Sequence, residues 1–264
     1  MPITQVGGTL IYYEEQGSGH PVLLIPGLSH TRLAWSKQIG PLSRYYRVIT
    51  PDNRDSGDSA LARVPYSITD LADDTAGLIQ NLQLGSSYVI GWSMGGYISL
   101  ELALRYPILV EKLVLVATSS GGPAHVPASP EIASAILPRE GEDVEALGRR
   151  VNPLLAGPGY MQTHPEDLER MIAYAKAKPI RRRPFQRQMG AIMTWWGARL
   201  RLGQLRMPTL IVHGDADPLV PYENGRNLAA NIPDAKFLTY PNVGHLLPIE
   251  ASERFNQDVR EFLR

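Results

Sequence analysis

The chain has 264 residues, 44% of them hydrophobic, with 26 Lys and Arg balancing 26 Asp and Glu. That length and apolar content suit a globular α/β protein with a large core. The charge balance leaves no global footprint for nucleic acid or an anionic membrane, and the absence of cysteine excludes disulfides, thiolate catalysis and Cys-ligated metals. In chain order, Leu10–Glu14 alternates weakly and predicts an edge strand. Short runs at Val22–Ile25, Arg47–Thr50, Tyr88–Ile90, Leu113–Val116, Leu210–Val212 and Lys236–Tyr240 predict further strands. The fully apolar ones, closed by Gly or Pro, suit strands covered on both faces.

Helical patterns lie between these runs. Leu71, Leu78 and Leu82 share one face of a helix that Thr69 or Asp70 is expected to cap. Ile98, Leu102 and the Leu104–Tyr106 turn form another, stopped by Pro107. Phe255, Val259, Phe262 and Leu263 mark the buried stripe of a terminal helix. Alternating β and α elements imply a mostly parallel central sheet with helices on both faces. Residues 121–203 break the rhythm. They open with Gly121, Gly122, Pro123, Pro127, Pro130 and Pro138, then turn helical over Glu166–Lys178 and Phe185–Leu202. The expectation is a helical cap or lid, residues 121–203, inserted into a core made of residues 1–120 and 204–264.

The sharpest chemical signal is Gly91-Trp92-Ser93-Met94-Gly95-Gly96, placed between a predicted strand and a predicted helix. In that context G-x-S-x-G reads as a nucleophile elbow. The serine needs a sharp, strained turn to project its hydroxyl, and small flanking residues let strand and helix backbones pass closely. The helix N-terminus then lies under the nucleophile and favours developing negative charge. A serine hydroxyl needs a base. Of His20, His30, His125, His164, His213 and His245, the last follows the final strand, within Pro241-Asn242-Val243-Gly244-His245. It therefore falls at the carboxyl edge of the sheet, where Ser93 points. Two aspartates in His213-Gly214-Asp215-Ala216-Asp217-Pro218 are candidates to orient the imidazole. Asp217, deeper in the turn, is favoured, while Asp215 suits turn formation.

These residues in the order Ser93, Asp217, His245 resemble the α/β-hydrolase fold family, over about Leu10 to Leu263. The resemblance implies a cap inserted after the sixth strand. It also implies that Gly214–Asp217 is the family's G-x-x-D, supporting Asp217. It further implies an oxyanion hole from the backbone amides of Leu28 and Met94. The family's usual His-Gly opening of the first loop is replaced by Pro26-Gly27. Asp52–Ser59 is similar to the family's D-x-R-G-x-G-x-S loop, with Asp55 where Gly is usual, a variant of some aclacinomycin-methylesterase-like esterases. Its expected role is to brace the floor of the site.

The implied activity is a serine carboxylesterase on small to medium apolar esters or lactones. Carbon–carbon bond hydrolysis, aminopeptidase or perhydrolase chemistry, or a slow-turnover receptor, are the alternatives. Trp195, Trp196, Met193 and Leu246 are candidate pocket residues. Arg181–Arg183 is expected to be a solvated face, and His213 a packed histidine. No metal or cofactor motif is present. The N-terminal stretch lacks a basic region followed by an apolar one, and no apolar run reaches the ~20 residues of a membrane span. A cytoplasmic protein acting on a small ester, with no metal, cofactor, nucleic-acid or membrane partner, is expected.

Overall fold

The computed structural model describes residues 2–179 and 181–264. Eight strands form one sheet: β1 (Ile3–Val6), β2 (Thr9–Gln16), β3 (Pro21–Ile25), β4 (Arg47–Pro51), β5 (Ser87–Trp92), β6 (Val110–Val116), β7 (Thr209–Gly214) and β8 (Lys236–Tyr240). Their spatial order is β1-β2-β4-β3-β5-β6-β7-β8. The pairs β1/β2 and β2/β4 are antiparallel, and all the others are parallel. The sheet is therefore mostly parallel, as expected. One strand position differs. The Leu10–Glu14 strand is not the edge, because β1 covers its outer side. The four residues Ile3-Thr4-Gln5-Val6 are too short and too mixed in polarity to announce a strand by alternation.

Continuous apolar runs form the central strands because both faces are covered. Leu23, Ile25, Val89, Leu113, Leu115 and Ile211 pack in one cluster with residues of α2 (Ile68–Asn81) and α3 (Met94–Arg105). Val22, Leu24, Ile90, Val114, Leu210 and Val212 pack in the other, with residues of α1 (Ser36–Ser43) and the C-terminal helix, which spans Ser252–Leu263. Neighbours along each strand alternate between clusters, as the period of two requires. Each fully buried Leu, Ile or Val contributes on the order of 1.5–3 kcal/mol of burial free energy.

The helix over Ile68–Asn81 is capped by Ser67, neither Thr69 nor Asp70. Ser67 Oγ accepts from the Asp70 amide at 3.2 Å, and the Asp70 carboxylate accepts from the Ser67 amide at 2.7 Å. Asp70 thus completes a capping box from the third helical position.

Between β6 and β7 the described residues hold helices and no strand: α4 (Pro130–Ala135), α5 (Val144–Leu155), α6 (Tyr160–Thr163), α7 (Pro165–Ala177), α8 (Arg182–Thr194) and a 3-10 turn at Arg199–Gln204. The helix expected over Phe185–Leu202 is broken after Thr194, and Gly197 takes a φ of 81°. A Cβ on Gly197 would stand 2.6 Å from the Gly121 backbone, and Ala198 N–H donates to Ser120 O at 2.7 Å. The two stems of the insertion close on each other there, which a continuous helix would prevent. After β7 come α9 (Glu223–Ala229), α10 (Leu247–Glu250) and α11 (Ser252–Leu263). No helix among the described residues is long and apolar enough to cross a membrane.

Candidate active site

Parallel pairing aligns Ile25 with Gly91 and Trp92 with Val116, so the ends of β3, β5 and β6 meet at the carboxyl edge. Ser93 is the first residue beyond β5 and sits at φ 56°, ψ −119°. Such a conformation costs a non-glycine residue about 1–3 kcal/mol and persists only where its surroundings hold it. Three contacts do so. Ser93 N–H donates to Val116 O at 2.9 Å, while its carbonyl accepts from Gly96 N–H and from Thr118 Oγ1, each at 2.8 Å. A Cβ on Gly95 would stand 2.1 Å from Ile25 O, so the helix after the turn approaches the end of β3 only because residue 95 has no side chain. Met94 opens α3, where its amide has no intrahelical partner.

The loop after β3 lies against this turn. A Cβ on Gly27 would stand 3.2 Å from both Ser93 Cβ and Trp92 O. Leu28, next along, is half-buried, as is Ser93. The amides of Leu28 and Met94 thus belong to the two segments that flank the Ser93 side chain. The β3 loop is held from the insertion: Ser29 N–H donates to Gln188 Oε1 on α8 at 2.9 Å. Gln188 Nε2 donates in turn to Ser56 Oγ at 2.9 Å and to Arg54 O at 3.2 Å.

His245 is buried in the loop after β8. Its backbone N–H donates to Leu155 O at 2.7 Å, and its carbonyl accepts from Trp92 Nε1 at 3.0 Å. The residue before Ser93 therefore fixes the histidine loop. His245 Nδ1 lies 2.8 Å from Asp217 Oδ2, and Asp217 Oδ1 accepts from the amides of Leu219 at 2.9 Å and Val220 at 2.8 Å. Burial alone would raise the Asp217 carboxyl. The His245 charge and hydrogen bonds from His213 and His245 outweigh it and hold the group at about 2. Asp217 is thus a fixed anion that holds the His245 proton on Nδ1 and leaves Nε2 as the basic atom. Asp215 is exposed and accepts from Asn242 N–H at 2.7 Å, so the structure brings Asp217 to the imidazole and leaves Asp215 in the turn. The Ser93 hydroxyl makes no hydrogen bond to the His245 ring among the described residues. Such contacts often tighten only around bound substrate.

The candidate pocket residues divide differently from expectation. Met193 is 77% and Trp196 84% exposed, so neither lines an enclosed pocket. Both lie at the C-terminal end of α8, on the solvent side of the turn that joins Gly197 to Gly121. Trp195 is engaged elsewhere, packed on Tyr97 at 4.8 Å between ring centroids, with Nε1 donating to Glu101 Oε1 at 2.7 Å. Leu246 is fully buried in the core cluster shared with α11. Arg181, Arg182 and Arg183 are exposed at the start of α8. His213 is packed as expected, at 2.8 Å from Val220 O through Nε2.

The Asp52–Ser59 loop is a brace. Asp52 accepts from Arg32 N–H at 2.8 Å and from Arg32 Nη1 at 2.7 Å, and Asn53 Nδ2 donates to Pro26 O at 3.2 Å. Asp55 receives a two-pronged contact from Arg187 of α8, at 2.7 and 2.8 Å. The Gly-to-Asp change in this loop therefore provides an anchor for the insertion.

Three residues near the site carried no sequence signal of their own: Trp92, Gln188 and His30. Trp92 stood in the elbow as its variable position, and Gln188 as one polar residue of a helix. The His30 ring stacks on Trp92 at 5.0 Å and 22°. Burial, then the His245 charge, push its imidazole down to about 4, so it is neutral at pH 7.

The chain also resembles known proteins along most of its length. The description of the alpha/beta hydrolase fold matches residues 20–252. RutD of Agrobacterium fabrum, whose name describes a carbamate hydrolase, is 29% identical over 245 residues, covering 92% of each chain. A 2-hydroxy-6-oxononadienedioate/2-hydroxy-6-oxononatrienedioate hydrolase of Burkholderia vietnamiensis is 28% identical, over 96% of this chain and 91% of its own. Among solved structures, the enol-lactonase from Burkholderia xenovorans LB400 superposes with a TM-score of 0.86 at 27% identity, covering 99% of both chains.

Proposed function

The chain belongs to the alpha/beta hydrolase fold family, and from that premise we propose that it is a serine hydrolase of small carboxylic esters or lactones, with Ser93, His245 and Asp217 as its triad. The observation that carries this reading is the pairing of a strained Ser93 turn with a buried His245 whose Nδ1 is 2.8 Å from Asp217. A base oriented by an anion is what nucleophile activation requires, and the strained turn projects the hydroxyl it acts on. A lactone is a cyclic ester, and the likeness to an enol-lactonase supports this substrate class.

In the proposed reaction, His245 Nε2 takes the Ser93 proton as Oγ attacks the carbonyl carbon. The Leu28 and Met94 amides receive the oxyanion, an effect worth about 10²–10³ in rate per donor. His245 hands its proton to the leaving alkoxide, and an acyl group remains on Ser93. Water, activated by the same imidazole, then releases the acid. The insertion at residues 121–203 serves as the cap over this opening, tied to the oxyanion loop through Gln188 and to the histidine loop through Leu155.

A fluorophosphonate should label one site, read by peptide mass as Ser93. Labelling that survives Ser93→Ala would overturn the assignment. A second reading keeps the triad for carbon–carbon cleavage of 2-hydroxy-6-oxo acids, supported by the 28% identity to the Burkholderia vietnamiensis hydrolase. Turnover of such an acid with no turnover of p-nitrophenyl esters would favour it.

A further inference from the structure

An imidazole that the Ser93–His245–Asp217 chemistry does not use lies beside the oxyanion loop. His30 follows Leu28 by two residues, and its backbone N–H donates to Gly27 O at 3.2 Å. Its ring is stacked on Trp92, whose indole N–H holds the His245 carbonyl. His30 Nδ1 lies 3.6 Å from the point a Gly27 Cβ would occupy, and Ser93 Cβ lies 3.2 Å from that point. Ring and nucleophile therefore flank the same glycine. Trp92, on which the His30 ring is stacked, also lies against the His245 ring at 6.1 Å between centroids. His30 is thus close to the nucleophile and to the base together.

Its two nitrogens are unlike. Among the described residues, Nδ1 is shut off from solvent and has no hydrogen-bond partner, whereas Nε2 is not sealed in this way. The residue keeps partial exposure, as Leu28 and Ser93 do. A neutral imidazole has one N–H and one lone pair. A buried N–H without an acceptor is rarer and costlier than an under-used lone pair. The tautomer inferred from this places the proton on Nε2, the ring nitrogen that is not shut off from solvent.

We propose that His30 is a substrate-contacting specificity residue, whose Nε2–H donates a hydrogen bond to an oxygen on the leaving alcohol, one or two carbons beyond the scissile bond. The placement follows from the reaction, and so the proposal rests on the Ser93 ester-hydrolase reading. His245 must deliver its proton to the leaving oxygen. A donor near both Ser93 and His245 therefore meets the alcohol half of the substrate. The ligand class is esters of alcohols that carry a second oxygen, such as glycol ethers and hydroxyalkyl esters. A site that presents a donor discriminates against the analogue lacking its acceptor, because the donor is then left unpaired.

Two esters isolate the effect. Butyl butyrate and 2-methoxyethyl butyrate match in chain length and form the same butyryl-enzyme, so their difference lies in acylation alone. Titration of released acid gives kcat/KM for each, in the wild type, in His30→Phe, which keeps a ring against Trp92, and in His30→Gln, which returns an N–H near the Nε2 position. The methoxyethyl-to-butyl ratio should fall about tenfold in the Phe variant and return to within about threefold of wild type in the Gln variant. A role in packing alone would lower both esters together and leave the ratio unchanged. An unchanged ratio in His30→Phe, or a Gln variant that behaves like Phe, overturns the His30 assignment while the Ser93 reading stands. A wild type that turns over neither ester and takes no fluorophosphonate overturns both.

Discussion

Replacing Asp217 by Asn changes one atom and reverses one hydrogen bond. Oδ1 accepts from two backbone amides, Leu219 at 2.9 Å and Val220 at 2.8 Å. Those amides hold the Asn oxygen where Oδ1 was, so its NH₂ takes the place of Oδ2, 2.8 Å from His245 Nδ1. A donor there requires Nδ1 to be the acceptor. The ring proton then moves to Nε2, the atom that receives the Ser93 proton in the proposed reaction. The carboxylate that would stabilise the imidazolium is lost in the same step. Wrong tautomer and missing charge together cost about 10⁴ in kcat, or about 5 kcal/mol of transition-state stabilisation. The assay is kcat on p-nitrophenyl butyrate at pH 7.5, with thermal unfolding to verify that the variant is folded. Asp215→Asn is the control and should stay within a few-fold of wild type, because Asp215 is exposed and, among the described residues, its carboxylate accepts only from the Asn242 amide. A folded Asp217→Asn enzyme that keeps a tenth of its kcat, or equal losses at both positions, would refute the reasoning.

Gln188→Leu removes the acceptor for Ser29 N–H and both contacts to the Asp52–Ser59 loop, at nearly constant volume. It should lower ester kcat/KM by about 10–100-fold, since the freed amide adjoins Leu28 and each lost buried bond is worth about 1–3 kcal/mol. Kinetics within twofold of wild type would show that the oxyanion loop holds its shape without α8. The His30 imidazole gives a pH dependence of stability. Its folded value, about 4, lies below its ordinary 6.5, so the unfolded chain binds the proton first as the pH drops. The contribution is complete above 6.5 and is lost as the pH falls towards 4. It amounts to no more than about 3 kcal/mol, reduced by solvent screening of the half-buried ring. Urea unfolding at pH 7 and pH 4 should show His30→Phe gaining on the wild type at the lower pH; a constant difference between the two proteins would contradict this.

Much of the fold was legible along the chain because its signals are local. The apolar runs at Val22–Ile25, Tyr88–Ile90 and Leu210–Val212 all became central strands. They announce themselves because a strand covered on both faces must be apolar at every position. The β1 strand escaped notice because an edge needs no such run. The cap on α2 was misplaced by two or three residues because Ser67, Thr69 and Asp70 are all capping types. Only the hydrogen bonds distinguish the cap from the third position of its box. The helix across Trp195–Ala198 was overextended because its side-chain pattern continues while the backbone turns away to meet Gly121.

The sequence by itself determined the elbow around Ser93, the loop positions of Asp217 and His245, and the parallel sheet that presents them at one edge. Spacing, glycine placement and apolar periodicity are properties of neighbouring residues, and they are readable in one dimension. The tertiary structure decided which aspartate reaches His245, that Trp92 and Leu155 hold the histidine loop, and that Gln188 holds the loop after β3 from α8. It also decided that Met193 and Trp196 face outward while His30 stands beside Ser93. Those contacts join segments up to 159 residues apart. Such a pairing depends on how the insertion and the loops pack over the sheet, and that packing leaves no period in the chain.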